Sequence, residues 1–295
     1  PNNSARNLKR SDADVIAVLI KGITNPFFTD MIKTFEQEIE KHKYTFILNR
    51  VENKEDEIGI ALELVKEKKL KGIVFLGGYF SHTEEKLKQL KVPFVLSTIG
   101  LTQKLDKTIC SSVAVNDFVE SRKMVEYLCK LGHKRIAIIA AQPDDESIGK
   151  LRLDGYMSAL RDNGIDTDNA LIRYTADGVD AYSMENGYRM AKELITSGVE
   201  FTAVYSICDS AAIGACKAIF DSGKRVPEDY SVAGFDGLDI AHYYNPSITT
   251  IKQPVEEIAR ETIKILFDLI NKKKPVQHKI FEGELVVGES TTPIR

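Results

Sequence analysis

The feature that most constrains this chain is a rhythm: short apolar runs alternate with amphipathic stretches from residue 14 nearly to the end. Val15-Ile16-Ala17-Val18-Leu19-Ile20 is apolar at every position. A half-exposed strand would alternate with polar residues, so this run reads as a strand covered on both faces, as in a parallel sheet. The stretch 27–42 then carries Phe28, Met31, Ile32, Phe35 and Ile39 on one helical face. Runs at 44–48, 72–76 and 92–96 follow, separated by helical patterns at 55–68 and 84–90. Parallel strands need crossovers, usually helical, so four strands alternating with three helices predict a doubly wound α/β sheet.

The rhythm repeats. Helical patterns at 117–131, 147–163, 183–197 and 210–222 lead into apolar runs at 135–139, 171–174, 201–205 and 230–235. The expected fold class is α/β, with two doubly wound parallel-sheet subdomains. A strand at 249–251, a helix at 255–271 and a β-rich tail at 276–287 are left over. They are best used by crossing back to the first subdomain and returning. No Gly/Ser- or Pro-rich linker intervenes, which suits crossing strands better than a tether. The expected boundaries are 11–114 plus 252–274 for the first subdomain and 115–251 plus 275–295 for the second, with 1–10 outside both. Ligands of such sheets bind beyond the C-terminal ends of the strands.

Charge narrows the partners. The chain carries −3, to which Arg6, Lys9 and Arg10 contribute +3, so the remainder stands at −6. A body that acidic is a poor nucleic-acid binder by electrostatics. Residues 1–10 hold no acidic side chain and open on Pro1 and Asn2, with good helix formers after them. About ten residues cannot hold a helix alone, so this stretch reads as a connector. The four cysteines, Cys110, Cys129, Cys208 and Cys216, have no zinc-site spacing and read as reduced thiols. No metal and no cofactor is expected. No apolar run approaches the roughly 18 residues of a membrane span, and no signal-peptide core opens the chain. The expected compartment is the cytoplasm, with no membrane partner.

Three places carry candidate chemistry. Asn25-Pro26-Phe27-Phe28 follows the first strand and offers an amide and two flat rings; either a ring meets a ligand or one merely staples the helix start. Arg152 opens a helix of the second subdomain, where its guanidinium either forks onto a ligand or forms a surface ion pair. Asp236, between Phe235 and Gly237 at a strand end, either accepts vicinal hydroxyls or caps the next short helix. No G-x-S-x-G, H-E-x-x-H or P-loop occurs, the five histidines are dispersed, and no catalytic residue is assigned.

Six stretches in order resemble the effector-binding core of LacI/GalR-family bacterial transcription regulators. They are Asn25-Pro26-Phe27-Phe28; Gly132-His133-Lys134-Arg135-Ile136-Ala137; Arg152-Leu153-Asp154-Gly155-Tyr156; the segment from Val226 through Phe235-Asp236; the segment from Pro246 through Gln253-Pro254; and Glu284-Leu285-Val286-Val287-Gly288-Glu289-Ser290-Thr291. The resemblance implies a periplasmic-binding-protein-like fold and a homodimer that binds operator DNA and a sugar-like effector. It places Phe27 or Phe28 and Tyr182 against the effector as stacking rings, with Asn25, Arg152, Asp236 and Gln253 as polar contacts. The pattern Pro1-Asn2-x-x-Ala5-Arg6-x-Leu8 resembles the hinge helix, which places Leu8 as the wedge in the minor groove and Arg6 and Lys9 near phosphates. A helix-turn-helix head of about fifty residues is expected before it. Cys208 stands where the family often has Asn, Gly288 where Arg is usual, and Gly237 where Asp or Asn is common.

Two rival readings remain at this point. An extracytoplasmic sugar-binding protein of a transport system shares the two-subdomain plan, and an enzyme acting on a phosphorylated sugar would need a base near Asp236.

Overall fold

The first apolar run forms strand β1 (Val15–Ile20), buried at all six positions. In this computed structural model, residues 14–52, 55–99 and 108–294 are described. After β1 come α1 (Phe27–Lys41), β2 (Thr45–Arg50), α2 (Glu57–Glu67), β3 (Leu70–Leu76), α3 (Glu84–Leu87), β4 (Phe94–Ser97) and β5 (Ser111–Val115). The second run of elements is α4 (Asp117–Lys130), β6 (Ile136–Ala140), α5 (Ile148–Asp162), β7 (Ile172–Tyr174), α6 (Met184–Thr196), β8 (Ala203–Ser206), α7 (Asp209–Asp221), β9 (Ser231–Ala233) and α8 (Asp239–Tyr243). Then β10 (Thr250–Lys252), α9 (Val255–Ile270), β11 (His278–Phe281) and β12 (Glu284–Val286) follow.

The chain divides into two compact units. Unit 1 takes the described residues up to Ile23, Phe28–Ala114 and Val255–Phe281; unit 2 takes Thr24–Phe27, Val115–Pro254 and the residues from Glu282. Unit 1 is built on a six-stranded sheet in the order β11-β5-β4-β3-β1-β2. Strands β1 to β5 pair in parallel, and β1 lies between β2 and β3. The order therefore reverses beside β1, the place where crossovers go to opposite faces and leave a crevice at the strand ends.

Two features of unit 1 differ from the sequence reading. Strand β5 was not expected, because Ser111 and Ser112 interrupt its apolar run. Both are buried, and their hydroxyls are satisfied by β11's approach: Ser111 Oγ accepts from Gln277 N at 3.0 Å, and Ser112 Oγ lies 2.8 Å from His278 Nδ1. Residues 275–281, grouped by sequence with the second subdomain, thus supply an edge strand to unit 1. Edge strands carry a weak apolar signature, and His278, Lys279 and Ile280 are all exposed.

Unit 2 holds a four-stranded parallel sheet in the order β7-β6-β8-β9 and a two-stranded antiparallel pair, β10 with β12. Strand periodicity sends Ile136 and Ile138 to one core and Ala137 and Ile139 to the other, so both faces are covered. On one face α6 and α7 meet backbone to backbone. A Cβ on Gly187 would overlap the Ala211 carbonyl and one on Gly214 the Met184 carbonyl, so only glycine permits this approach. No disulfide joins Cys110, Cys129, Cys208 or Cys216. The connector 1–10, with Arg6, Leu8 and Lys9, lies outside the described residues.

Candidate functional site

In unit 2 the strand order reverses between β6 and β8, and the segments after β6, β8 and β9 gather polar side chains there. Arg152, in the second turn of α5, is 1% exposed. Its Nε lies 2.9 Å from Asp117 Oδ1, its NH1 donates to the Ile207 carbonyl, and NH1 is 3.4 Å from Asp236 Oδ1. Its carbon Cζ sits 3.7 Å from the centre of the Phe235 ring. Arg152 is therefore no surface ion pair. Burial alone would lower its pKa, but Asp117 and Asp236 more than reverse that and hold the guanidinium charged.

Asp236 is 2% exposed and sits at φ 118°, a conformation costly for any residue with a side chain. Crossing bonds hold it: Asp236 N donates to Ile251 O at 2.9 Å, and Gln253 N donates to Asp236 O at 3.1 Å. Gln253 Nε2 donates to Oδ1 at 2.9 Å, while Oδ2 makes no hydrogen bond. The α8 start has no side-chain cap, so capping is not the task of Asp236. Burial raises its pKa to about 6 against the opposing pull of Arg152. Asn25 lies close enough to pull the same way, though without a well-aligned bond to Oδ2. Asn25 Oδ1 also accepts from Phe27 N at 3.0 Å.

The other expected rings divide between the units. Phe28 lies over Gly22 and Gly77 in unit 1, whereas Phe27 is buried in unit 2. Tyr182 belongs with the Arg152 group; burial raises its phenol, against the pull of Arg152 and of the nearby Ser147.

Sequence reasoning missed several members of this site. Asp117 starts α4, where a helix N-terminus favours a carboxylate, and its pairing with Arg152 spans 35 positions. Burial raises the Asp117 pKa all the same. Asp209 starts α7 and accepts from Thr250 Oγ1 at 2.6 Å and from Gly237 N and Leu238 N at 2.8 Å. Burial, then the nearby Asp236, push it up to about 8. Asp145 and Gly149 lie at the start of α5: a Cβ on Gly149 would sit 3.1 Å from Tyr182 Oη and closer still to Asp145 Oδ2. The only local sequence signal for these was an acidic residue beside a helix start.

Unit 1 also gathers charge at its strand ends, beside a depression of about 310 Å³. Lys21 Nζ pairs with Glu57 Oε2 at 2.5 Å, and His82 Nε2 lies 2.9 Å from Glu57 Oε1. Asp56 caps α2 by accepting from Ile58 N at 3.2 Å and pairs with Lys86 at 2.7 Å. Burial would raise the Glu57 pKa, but bonds from His82 and Lys21 hold it below its ordinary value. Asp56, Glu57 and His82 bring possible metal-ligand atoms within 4.8 Å of one another. A cation there would have to displace two lysine ammonium groups, so the chemistry of the donor set suits an ion network better than a metal.

Residues 125–291 match the family model described as a periplasmic binding protein-like domain. The HTH-type transcriptional regulator MalR of Clostridium butyricum is 38% identical over 98% of this chain and 85% of its own length. The HTH-type transcriptional repressor CytR of Escherichia coli K12 is 29% identical over 99% of this chain and 83% of its own. A LacI family transcriptional regulator from Enterococcus faecium, crystallised with ribose, superposes with a TM-score of 0.81 at 28% identity, over 95% of this chain and all of that one. The chain belongs to the LacI family of transcriptional regulators. The transport-protein reading gives way to that membership.

The departures from the LacI-family pattern have local causes. Cys208 caps α7, its sulfur accepting from Ala211 N at 3.4 Å, so it keeps the capping role of an Asn with a weaker acceptor. Gly237 has φ +76° and presses against Lys252, and Gly288 presses against the Ser247 carbonyl, so a side chain at either would collide with backbone or neighbour.

Proposed function

We propose that this chain senses a sugar-like metabolite at the strand ends of unit 2 and passes its occupancy to operator DNA as a cytoplasmic homodimer. Asn25, Phe27, Arg152, Tyr182, Asp236 and Gln253, all of unit 2, are the proposed effector contacts. The observation that carries the reading is Asp236: buried, strained, braced by Arg152 and Gln253, and left with one carboxylate oxygen unmet. A buried acceptor without a donor is costly, and a ligand hydroxyl supplies one. The ribose carried by the Enterococcus faecium relative supports a sugar.

Self-association is supported by Met184, Phe220, Ile240 and Tyr243, apolar side chains left exposed on α6, α7 and α8. DNA contact is assigned to Arg6, Leu8 and Lys9 together with a helix-turn-helix head. Linkage then requires effector and operator to shift each other's affinity by one factor. Catalysis is no part of the proposal: the Cys208 thiol is buried with its pKa raised well above 9.0, which makes it a poor nucleophile. The test is a thermal-shift screen of sugars, since a ligand of the folded state raises stability by mass action. A sugar that stabilises the parent and leaves Asp236→Asn unmoved supports the site; equal shifts in both overturn it.

A further inference from the structure

We propose that the pole of unit 1 where its strands begin is a second DNA-facing surface, on which lysines meet backbone phosphates of the duplex beside the operator. This extends the reading of Arg6, Leu8 and Lys9 as DNA contacts and rests on it. The observation that carries it is how the helices of the two units end. In unit 2, the residue two places past α4, α5, α6 and α7 is a left-handed glycine: Gly132, Gly164, Gly198 and Gly223, at φ 93°, 69°, 73° and 74°. In unit 1 the left-handed residue after α1, after the helical turn Lys88–Leu90 and after α9 is a lysine: Lys43, Lys91 and Lys272, at φ 64°, 55° and 54°.

The bonds that close these helices are the same in both units. Tyr44 N donates to Ile39 O at 3.3 Å and Lys273 N to Asp268 O at 2.9 Å, as Ile165 N does to Leu160 O at 2.9 Å and Lys224 N to Ile219 O at 3.1 Å. Glycine takes the left-handed conformation without strain, whereas a side chain there costs free energy. A cation near a helix C-terminus is favoured by the dipole. The helices of unit 2 have the same dipoles and place glycine at this point, so helix closure does not ask for lysine. Charge is what sets the three positions of unit 1 apart.

These charges gather at one pole. A crossover helix runs back against the strands it joins, so its C-terminal end lies where strands begin. The end of α9 lies there too: a Cβ on Gly72, near the start of β3, would overlap Leu266 and press on Ile270, and Phe267 stacks on His42 with ring centres 3.9 Å apart. Lys43, Lys68, Lys91, Lys272 and Lys273 are exposed and form no ion pair among the described residues, while Lys71 and Lys274 are held by Asp14 at 3.6 Å and Asp268 at 3.3 Å. At the opposite pole Lys21 and Lys86 are paired with Glu57 and Asp56. The chain also enters unit 1 at the lysine pole, where Asp14 precedes β1. The six steps from Leu8 to Asp14 span at most about 22 Å, at roughly 3.6 Å each, so a duplex held at Leu8 is within reach. The net acidity of the body does not oppose this, because salt limits each phosphate to charges within about 10 Å.

The experiment is fluorescence anisotropy of the full chain with a labelled random-sequence DNA duplex, over salt from about 50 to 200 mM. The variant Lys43→Gly/Lys91→Gly/Lys272→Gly removes three charges and three left-handed side chains together. Its affinity at low salt should fall at least about tenfold and its salt slope should become shallower by about one per lysine, while its melting temperature holds or rises. Lys130→Gln/Lys134→Gln/Lys224→Gln takes the same charge from helix ends of unit 2 and should leave the slope as it is. A lowered melting temperature with unchanged DNA binding makes the lysines of unit 1 helix caps and overturns the proposal. Equal losses in the two triple variants, or no salt-dependent binding by the parent, overturn it as well. Binding lost in Arg6→Gln/Lys9→Gln but kept in the glycine variant also overturns it and leaves the contacts of residues 6–9 standing.

Discussion

The strand ends of the two units gather charge in opposite ways. In unit 1 the carboxylates meet their match: Glu57 takes Lys21 and His82, Asp56 takes Lys86 and a backbone amide. In unit 2 one guanidinium serves Asp117 and Asp236, and oxygens of Asp236 and Asp145 are left over. A satisfied network stabilises what is already there. An unsatisfied one has free energy in reserve for a ligand, because each buried acceptor gains more from a new donor than an exposed group would.

The largest test of that contrast removes one carboxylate from each end. Asp117→Ala strands a guanidinium that is 1% exposed, and a loss of about 3–5 kcal/mol is expected in urea denaturation. Glu57→Ala should cost less, about 1–3 kcal/mol, because the long stem of Lys21 can carry its ammonium to water. Equal costs would remove the distinction between the two ends.

A second test uses pH, where the two ends have opposite signs. The Asp236 pKa is raised to about 6 from 3.8, so its contribution is present below pH 3.8 and is lost as pH rises through 6. The Glu57 pKa is lowered from 4.5, so its contribution is present above pH 4.5 and is lost as pH falls through the depressed value. Melting curves from pH 3 to 8 should show Asp236→Asn gaining on the parent by about 1–3 kcal/mol as pH rises. Glu57→Gln should fall behind it over the same range. Ligand donors on Asp236 lower its pKa, so binding near pH 6 should release protons. Titrations in two buffers of different ionisation enthalpy would measure that release.

The smallest effect compares two buried serines. Ser97 Oγ lies 3.1 Å from Thr262 Oγ1 in unit 1, so Ser97→Ala should cost about 1 kcal/mol. Ser206 Oγ in unit 2 has no partner, and Ser206→Ala should fall within about 0.5 kcal/mol of the parent. A larger loss at Ser206 would show that its hydroxyl is satisfied in solution.

Much of this was legible before any fold was known. The alternation of apolar runs and amphipathic helices set out two parallel sheets, because strand and helix periodicity are properties of near neighbours. Motif order singled out Arg152, Asp236 and Gln253, which the structure brings within hydrogen-bonding distance, and Tyr182 beside Arg152. Strand β5 escaped notice because its two serines look polar until Gln277 and His278 arrive to satisfy them.

What the sequence by itself determined is the α/β plan and the family, since periodicity and motif order are carried along the chain. Only the tertiary structure decided that Arg152 is a buried hub, that Asp117 and Asp209 share its neighbourhood, and that Asp145 and Tyr182 close in on Gly149 too tightly for a side chain there. Those decisions depend on which strand ends meet at the reversal between β6 and β8. That order brings together residues up to 84 positions apart, such as Arg152 and Asp236, and no local pattern encodes it.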